Sequence, residues 1–226
     1  MTRRVAAIVP ALNEVATIAD VVRGLAGIVS VTVVCDDGSS DGTATAARAA
    51  GAYVIEQPQT GGKGRAIRTA LTEVLAWPDI EWVLLIDADL QHRPEEARRL
   101  IAHAIESGAD LVTGERQFVR KEMPASRYYA NYFGSRALSS FTGVPLRDTQ
   151  CGFRVFRISM LRRLPLRATG YDIETEMLIK VRRLGGTIAS VPVSAVYGTG
   201  LSKLRPVRDT TRTCFRAVFY RYIEAL

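Results

Sequence analysis

The residues best suited to chemistry lie in WVLLIDADLQHRPEE, Trp82 to Glu96, where an apolar run leads straight into Asp87-Ala88-Asp89 and stops. Along an extended strand, side chains two apart face the same way. Asp87 and Asp89 are therefore expected to converge at the carboxyl end of a strand over 81–89. Like charges that close are costly unless a cation lies between them. A divalent cation with oxygen ligands, Mg²⁺ or Mn²⁺, is the economical partner and keeps part of its shell open for a phosphate. The alternative is a solvated Asp-rich turn, with Asp89 capping the helix that Pro94, Glu95 and Glu96 begin. Neighbouring segments have to choose between the two.

Two further segments carry residues with no obvious structural use. CDDGSSDGT (35–43) reads as a strand end, a tight turn through Gly38, Ser39 and Ser40, and a helix start capped by Asp41. Asp36 and Asp37 are left over, and a carboxylate there can accept a hydrogen bond from a uracil or guanine ring N–H. TGGKGRAIRTAL (60–71) is a glycine-rich turn opening a helix, where backbone N–H groups and Lys63 can meet a phosphate. It has neither the Walker spacing nor GxGxxG.

The elements that must position these residues follow from the apolar pattern. Strands are expected at 4–10, 31–37, 52–57, 81–89 and 109–114, alternating with helices near 14–27, 42–50, 63–76 and 94–107. Continuous apolar strands separated by helices predict a mostly parallel sheet covered on both faces. Ligands of such sheets bind at the strands' carboxyl ends, where Pro10–Glu14, Asp36–Asp37 and Asp87–Asp89 all fall. The second half is less regular, with a helix at 126–141, strands at 152–157 and 187–193, and a helix at 171–184. One domain accounts for 226 residues with 47% hydrophobic and 23% charged side chains.

Charge and cysteine usage narrow the functional classes. Residues 1–113 hold 10 Lys and Arg against 15 Asp and Glu, and residues 114–226 hold 20 against 8. An acidic half suited to a cation thus precedes a basic half suited to anions. Cys35, Cys151 and Cys214 are too sparse for a disulfide or zinc framework, and point to a reducing compartment. No apolar run approaches the ~18–20 residues that span a bilayer. The opening MTRRVAAIVPALNE is not read as a signal sequence, because Pro10, Asn13 and Glu14 interrupt its apolar part. A cytoplasmic protein, peripheral at the inner face of the membrane, is expected.

Together VPALNE (9–14), DDGSSDGT (36–43), GGKGRA (61–66) and DADLQHRPEE (87–96) resemble the family 2 glycosyltransferases, of GT-A fold. Gln91, DTQCGFRVFR (148–157) and GYDIETEM (170–177) are similar to the branch of dolichol-phosphate mannose synthases and bacterial polyprenyl-phosphate glycosyltransferases. The resemblance covers roughly residues 4–204. It implies a GT-A domain over 1–204, with a nucleotide and metal half (1–114) and an acceptor half (115–204).

The resemblance also implies roles. Pro10, Leu12, Glu14 and Ala88 line the donor, and Asp37 or Asp36 reads the base. Asp87 and Asp89 hold the metal on the diphosphate, with Gln91 joining the shell. Arg116, Arg127 and Asn131 face acceptor phosphate; Arg120 and Arg136 are as well explained by a solvated helix face. The donor is a nucleotide-diphosphate sugar, UDP- or GDP-hexose, and the acceptor a polyprenyl phosphate or other lipid-linked group attacked with inversion. A hydroxyl acceptor needs a base, for which Asp148 and then Glu176 are the candidates, while Asp172 and Glu174 read as helix-start acids. GTGLSKLRP (198–206) resembles a segment that folds over the donor, and Lys203 is its donor contact. The family's arginine just before it is missing here, with Tyr197, Gly198 and Thr199 in its place.

Residues 205–226 form the last expected element. Phe215, Phe219 and Tyr222 share one helical face flanked by Arg208, Arg212 and Arg216, which suits a basic amphipathic helix at an anionic membrane surface. A docked terminal helix or a dimer contact is the alternative, and a membrane-protein partner or homo-oligomer is a further expectation. Three rival functions share parts of this pattern. A transferase acting on a soluble or cell-wall glycan differs only in its acceptor. A sugar-nucleotide nucleotidyltransferase would carry a basic Gly-rich loop after the first strand, and PALNE is not one. Specific nucleic-acid binding lacks the aromatic-basic surface of an RNA module.

Overall fold

The computed structural model describes residues 4–116, 136, 139 and 148–194. Seven strands form one sheet: β1 (Val5–Ala11), β2 (Val31–Asp36), β3 (Tyr53–Glu56), β4 (Trp82–Leu85), β5 (Leu111–Arg116), β6 (Arg154–Arg157) and β7 (Ile188–Val193), in the order β3-β2-β1-β4-β6-β5-β7. All neighbours pair in parallel except β6, which runs antiparallel to both β4 and β5. The register sets Ile8 opposite Val33 and Leu85, and Val155 opposite Leu84 and Val112. Helices are α1 (Ile18–Leu25), α2 (Thr43–Ala49), α3 (Lys63–Leu75), α4 (Ala97–Ser107), α5 (Ile158–Leu161) and α6 (Ile173–Arg183), with a 3₁₀ turn at Pro94–Glu96.

β1 explains why its sequence shows no polar alternation. Ala6 and Ile8 pack into one core with Ala66, Ile67, Leu71 and Met177, while Val5, Ala7 and Val9 pack into the other with Ile18, Leu25 and Leu100. Both faces are covered, so both sets of side chains are apolar. The periodic strand and helix expectations of the first half hold to within a few residues. The four-residue α5 has too few residues for a periodic signal and was not expected. The expected helix over 126–141 lies outside the described residues apart from Arg136 and Ser139, both helical.

One strand boundary bears directly on the site. β4 ends at Leu85, so Asp87 and Asp89 do not sit on a strand and the two-residue alternation does not apply to them. After Ile86 donates its amide to the Ile8 carbonyl, the chain turns, and Leu90 takes a left-handed φ of 57°. Asp89 Oδ1 accepts the Gln91 amide at 3.0 Å, closing the turn. Asp89 thus caps a turn, whereas Pro94 opens the helical segment without it.

Candidate active site

The ends of β1 and β2 are tied together residue by residue. Asp37 donates its amide to the Ala11 carbonyl, Asn13 to Ser39 Oγ at 2.8 Å, and Glu14 to Thr43 Oγ1 at 2.8 Å. Ser40 answers with a bond to Asn13 Oδ1 at 3.0 Å. Asp41 serves both segments, accepting from the Thr43 and Val15 amides, which agrees with its expected role at the start of α2. Pro10, Leu12 and Glu14, on the β1 side of this seam, are half-buried.

Asp36 and Asp37 are buried and engaged. Asp36 accepts from the Ser39 amide and hydroxyl. Asp37 accepts the Gly61 amide at Oδ1 and the Gly62 amide at Oδ2, both at 2.8 Å. This corrects the expectation for the glycine turn. The N–H groups of Gly61 and Gly62 do not wait for a phosphate, because a carboxylate of the neighbouring strand already satisfies them.

Lys63, the first residue of α3, points across the sheet. Its ammonium lies 2.6 Å from Asp87 Oδ1 and 2.6 Å from Glu174 Oε1, with the Tyr171 ring 5.8 Å away. Burial would lower its pKa, but the two carboxylates outweigh burial and hold it above the ordinary lysine value. Burial pushes Asp87 up, and Lys63 overcomes this to leave the carboxyl below its usual value. Asp89 goes the other way: burial and then the charge of Asp87 raise it. Asp87 is paired directly with Lys63, whereas among the described residues Asp89 makes no ion pair and feels Lys63 only at a distance. Gly152 makes the arrangement possible, since a Cβ there would lie 2.5 Å from Asp87 Oδ2 and 3.0 Å from Lys63 Nζ.

The second half of the chain supplies a further ion pair. Arg116, at the end of β5, grips Asp148 through Nε at 2.5 Å and Nη2 at 3.0 Å, and its backbone amide adds a bond at 3.3 Å. Asp148 is only 1% exposed and also accepts the Gln150 amide. It holds the Arg116 guanidinium in a forked geometry, so a role as a base would require it to leave that pair. Glu176 is engaged more deeply. It is fully buried, pairs with the equally buried Lys180 at 2.7 Å, and accepts the Arg167 and Ala168 amides at 2.9 and 2.8 Å. Arg127 and Lys203 lie outside the described residues, as do Asn131 and the segment 198–206.

Three residues at the site were not expected. Glu174 faces Lys63, is 5% exposed, and its Oε2 has no hydrogen-bond partner among the described residues. Arg154 is fully buried and donates to the carbonyls of Cys151, Glu174 and Thr149 at 2.8, 2.6 and 2.8 Å, knitting the 149–151 segment to α6. His92 stacks on Phe153 at 5.2 Å, and its Nε2 lies 3.6 Å from Cys151 Sγ. Burial drops its pKa to about 4, and burial pushes the Cys151 thiol up to about 12, so both stay neutral at pH 7. The spacing Glu176–Lys180 is the signal that was available. An acid four residues before a lysine marks an intrahelical pair, which withdraws Glu176 and leaves Glu174 as the acid of that helix facing elsewhere.

The gathered charges are Lys63, Arg116 and Arg154 against Asp87, Asp89, Asp148 and Glu174. Among the described residues no group of three or more His, Cys, Asp or Glu could hold a metal ion. What the crevice offers is an acidic pair beside a lysine, opposite an arginine–aspartate fork, at the ends of parallel strands.

Comparison with known proteins identifies the family. A model described as glycosyl transferase family 2 matches residues 6–170. An undecaprenyl-phosphate mannosyltransferase of Micrococcus luteus is 31% identical over 206 residues, 85% of this chain and 84% of that protein. A dolichyl-phosphate hexose transferase of Haloferax volcanii is 36% identical over 176 residues, 77% of this chain and 74% of that protein. Glucosyl-3-phosphoglycerate synthase of Mycobacterium tuberculosis, solved with UDP, matches with a TM-score of 0.74 and 26% identity over 99% of this chain and 82% of that one. The same enzyme has been solved with Mn²⁺, UDP-glucose and phosphoglyceric acid. The chain belongs to family 2 of the glycosyltransferases, an enzyme of GT-A fold that works on a nucleotide sugar.

Proposed function

We propose that this enzyme transfers a hexose from a nucleotide diphosphate, UDP or GDP, to a polyprenyl phosphate or another lipid-linked phosphate, with inversion at the anomeric carbon. One observation carries the choice of acceptor. Asp148 is locked to Arg116 and Glu176 to Lys180, so each of the two carboxylates expected to act as a base is held in an ion pair of its own. A phosphate acceptor is already anionic and attacks without a base. The names of the relatives from Micrococcus luteus and Haloferax volcanii support the same acceptor class.

Pro10, Leu12, Glu14, Asp36 and Asp37 line the base and ribose end of the donor, with Lys63, Asp87 and Ala88 at its diphosphate and Lys203 closing over it. Asp87, Asp89 and Gln91 would hold a Mg²⁺ or Mn²⁺. The fit rests on Asp89, a carboxylate raised by burial and by the charge of Asp87, which the Gln91 amide and the more distant Lys63 offset only in part. A divalent ion bound there would neutralise charge building on the leaving diphosphate. Lys63 adds a fixed positive charge beside Asp87. Arg116, oriented by Asp148, and Arg127 bind the acceptor phosphate and hold its oxygen on line.

A second reading has an observation of its own. Glu174 Oε2 is unpartnered among the described residues and could take a proton from a hydroxyl, and glucosyl-3-phosphoglycerate synthase is a structural neighbour solved with a small soluble molecule, phosphoglyceric acid. A transfer assay with labelled UDP- and GDP-hexoses separates the two, offering undecaprenyl phosphate or 3-phosphoglycerate and partitioning the product between butanol and water. Label in butanol that disappears on chelation supports the lipid-phosphate reading; label only in water sinks it. Asp89→Asn is expected to lose at least a hundredfold in turnover at unchanged fold, the size of an electrostatic transition-state contact. Full turnover by that variant in metal-buffered assay would remove the metal assignment.

A further inference from the structure

Arg154 is fully buried, yet its guanidinium donates to no carboxylate among the described residues. Each of its three nitrogens takes one backbone carbonyl instead: Nε that of Cys151 at 2.8 Å, Nη1 that of Glu174 at 2.6 Å and Nη2 that of Thr149 at 2.8 Å. Two of these carbonyls lie in the segment 148–152 and the third in the first turn of α6. We propose that Arg154 is a positioning residue that ties the donor and acceptor sides of the crevice together, by holding that segment against α6. Which side serves the donor and which the acceptor rests on the reading above; that Arg154 joins them does not.

Both ends of the held segment carry charged groups of the crevice. Asp148, at one end, grips Arg116. Gly152, at the other, lies so close to Asp87 and Lys63 that a Cβ would come within 2.5 Å of Asp87 Oδ2 and 3.0 Å of Lys63 Nζ. Across the junction, Glu174 receives the Lys63 ammonium at 2.6 Å. A shift of the segment against α6 therefore moves Gly152 and Glu174 apart around Lys63, and moves Asp148 with its arginine. Gln150 adds one neutral bond across the same junction, from Nε2 to Thr175 Oγ1 at 3.0 Å. The carboxylates whose charge Arg154 feels are Glu174, Asp148 and Asp87, the same three that hold Lys63 and Arg116. A lysine would keep the charge but not the function, because an ammonium is a point and only the planar guanidinium aims its donors in fixed directions at three carbonyls. A buried carbonyl left without its donor is costly.

The test uses the full chain with Arg154→Lys, which keeps the charge and loses the fork, and Arg154→Met, which loses both. Measurements are made at a temperature where the variant stays folded by circular dichroism; should Arg154→Met not fold, Arg154→Lys decides alone. Lys63 accessibility is read as its rate of acetylation by an amine-directed reagent, resolved peptide by peptide. Lys180, fully buried on the same helix as Glu174, is the internal reference. Losing a charge-assisted bond is expected to raise Lys63 labelling on the order of tenfold while Lys180 stays protected. In transfer assays with undecaprenyl phosphate, Arg154→Lys is expected to raise the KM for the nucleotide sugar and the KM for the lipid phosphate together, each about tenfold. Unchanged Lys63 labelling in Arg154→Lys overturns the proposal, and so does a rise confined to one of the two KM values. A parallel rise at Lys180 means that Arg154 holds α6 in the fold and not the crevice, and also overturns it. Absence of transfer by the wild type would sink the lipid-phosphate reading alone, since the labelling arm still decides whether Arg154 positions Lys63.

Discussion

Arg116 and Asp148 meet across 32 positions of chain, and their fork decides what each can do. Asp148 takes two of the guanidinium's five N–H donors and thereby fixes the direction of the remaining three. Asp148→Asn keeps the shape and loses the charge. It is expected to raise the KM for the phosphate acceptor about tenfold, the value of one charged hydrogen bond, with the donor KM unchanged. A loss confined to the donor would place Arg116 elsewhere. His92 gives a pH dependence with a definite sign. Its folded pKa of about 4 lies below the unfolded 6.5, so the unfolded chain binds more protons between those values. Its neutral form therefore supports the fold above pH 6.5, and that support is lost as pH falls toward 4. Between pH 7 and pH 5 this amounts to about 2 kcal/mol. Denaturant titrations at the two pH values should show a correspondingly smaller pH slope for His92→Gln, and an equal slope would refute the assignment.

At the scale of elements, α6 divides its acids between two tasks. Glu174 faces the crevice and Lys63, while Glu176 faces Lys180 and the Arg167 and Ala168 amides. Glu176 is thereby a staple between α6 and the loop that packs on the glycine turn. Removing its charge strands a buried ammonium, so Glu176→Gln is expected to cost about 3–5 kcal/mol in stability. Turnover per folded molecule should be retained at a temperature where the variant stays folded; a selective loss of turnover would restore Glu176 to the chemistry. β6 matters for another reason. Its antiparallel course sets Arg154 opposite Leu85 at the end of β4, where the guanidinium secures the carbonyls of the segment that carries Gly152 against Asp87. The antiparallel strand thereby brings Gly152, from the second half of the chain, against Asp87 and Lys63 of the first.

Across the whole molecule, the acidic first half and basic second half remain the guide to partners. None of the described helices is long and apolar enough to cross a membrane, and the expected basic helix at 205–226 lies outside the described residues. The charge balance argues for electrostatic attraction to anionic lipid. The chain is expected to co-sediment with phosphatidylglycerol vesicles at low salt, and to be released as salt screens the attraction. Binding that ignores salt, or none at low salt, would remove the peripheral-membrane expectation.

The sequence alone determined the alternation of strands and helices, the crevice at the carboxyl ends of β1, β2 and β4, and the family. Each follows from local pattern: apolar runs buried on both faces, Gly and Asp at turns, and motifs whose order survives without coordinates. The structure decided who pairs with whom. That Asp37 serves Gly61 and Gly62, that Lys63 sits between Asp87 and Glu174, and that Asp148 belongs to Arg116 depends on contacts between residues 24 to 111 positions apart in the chain. Spacing could locate these carboxylates at one end of a sheet. It could not tell a free carboxylate from a bound one, because the difference lies in partners that only the folded chain brings within hydrogen-bond reach.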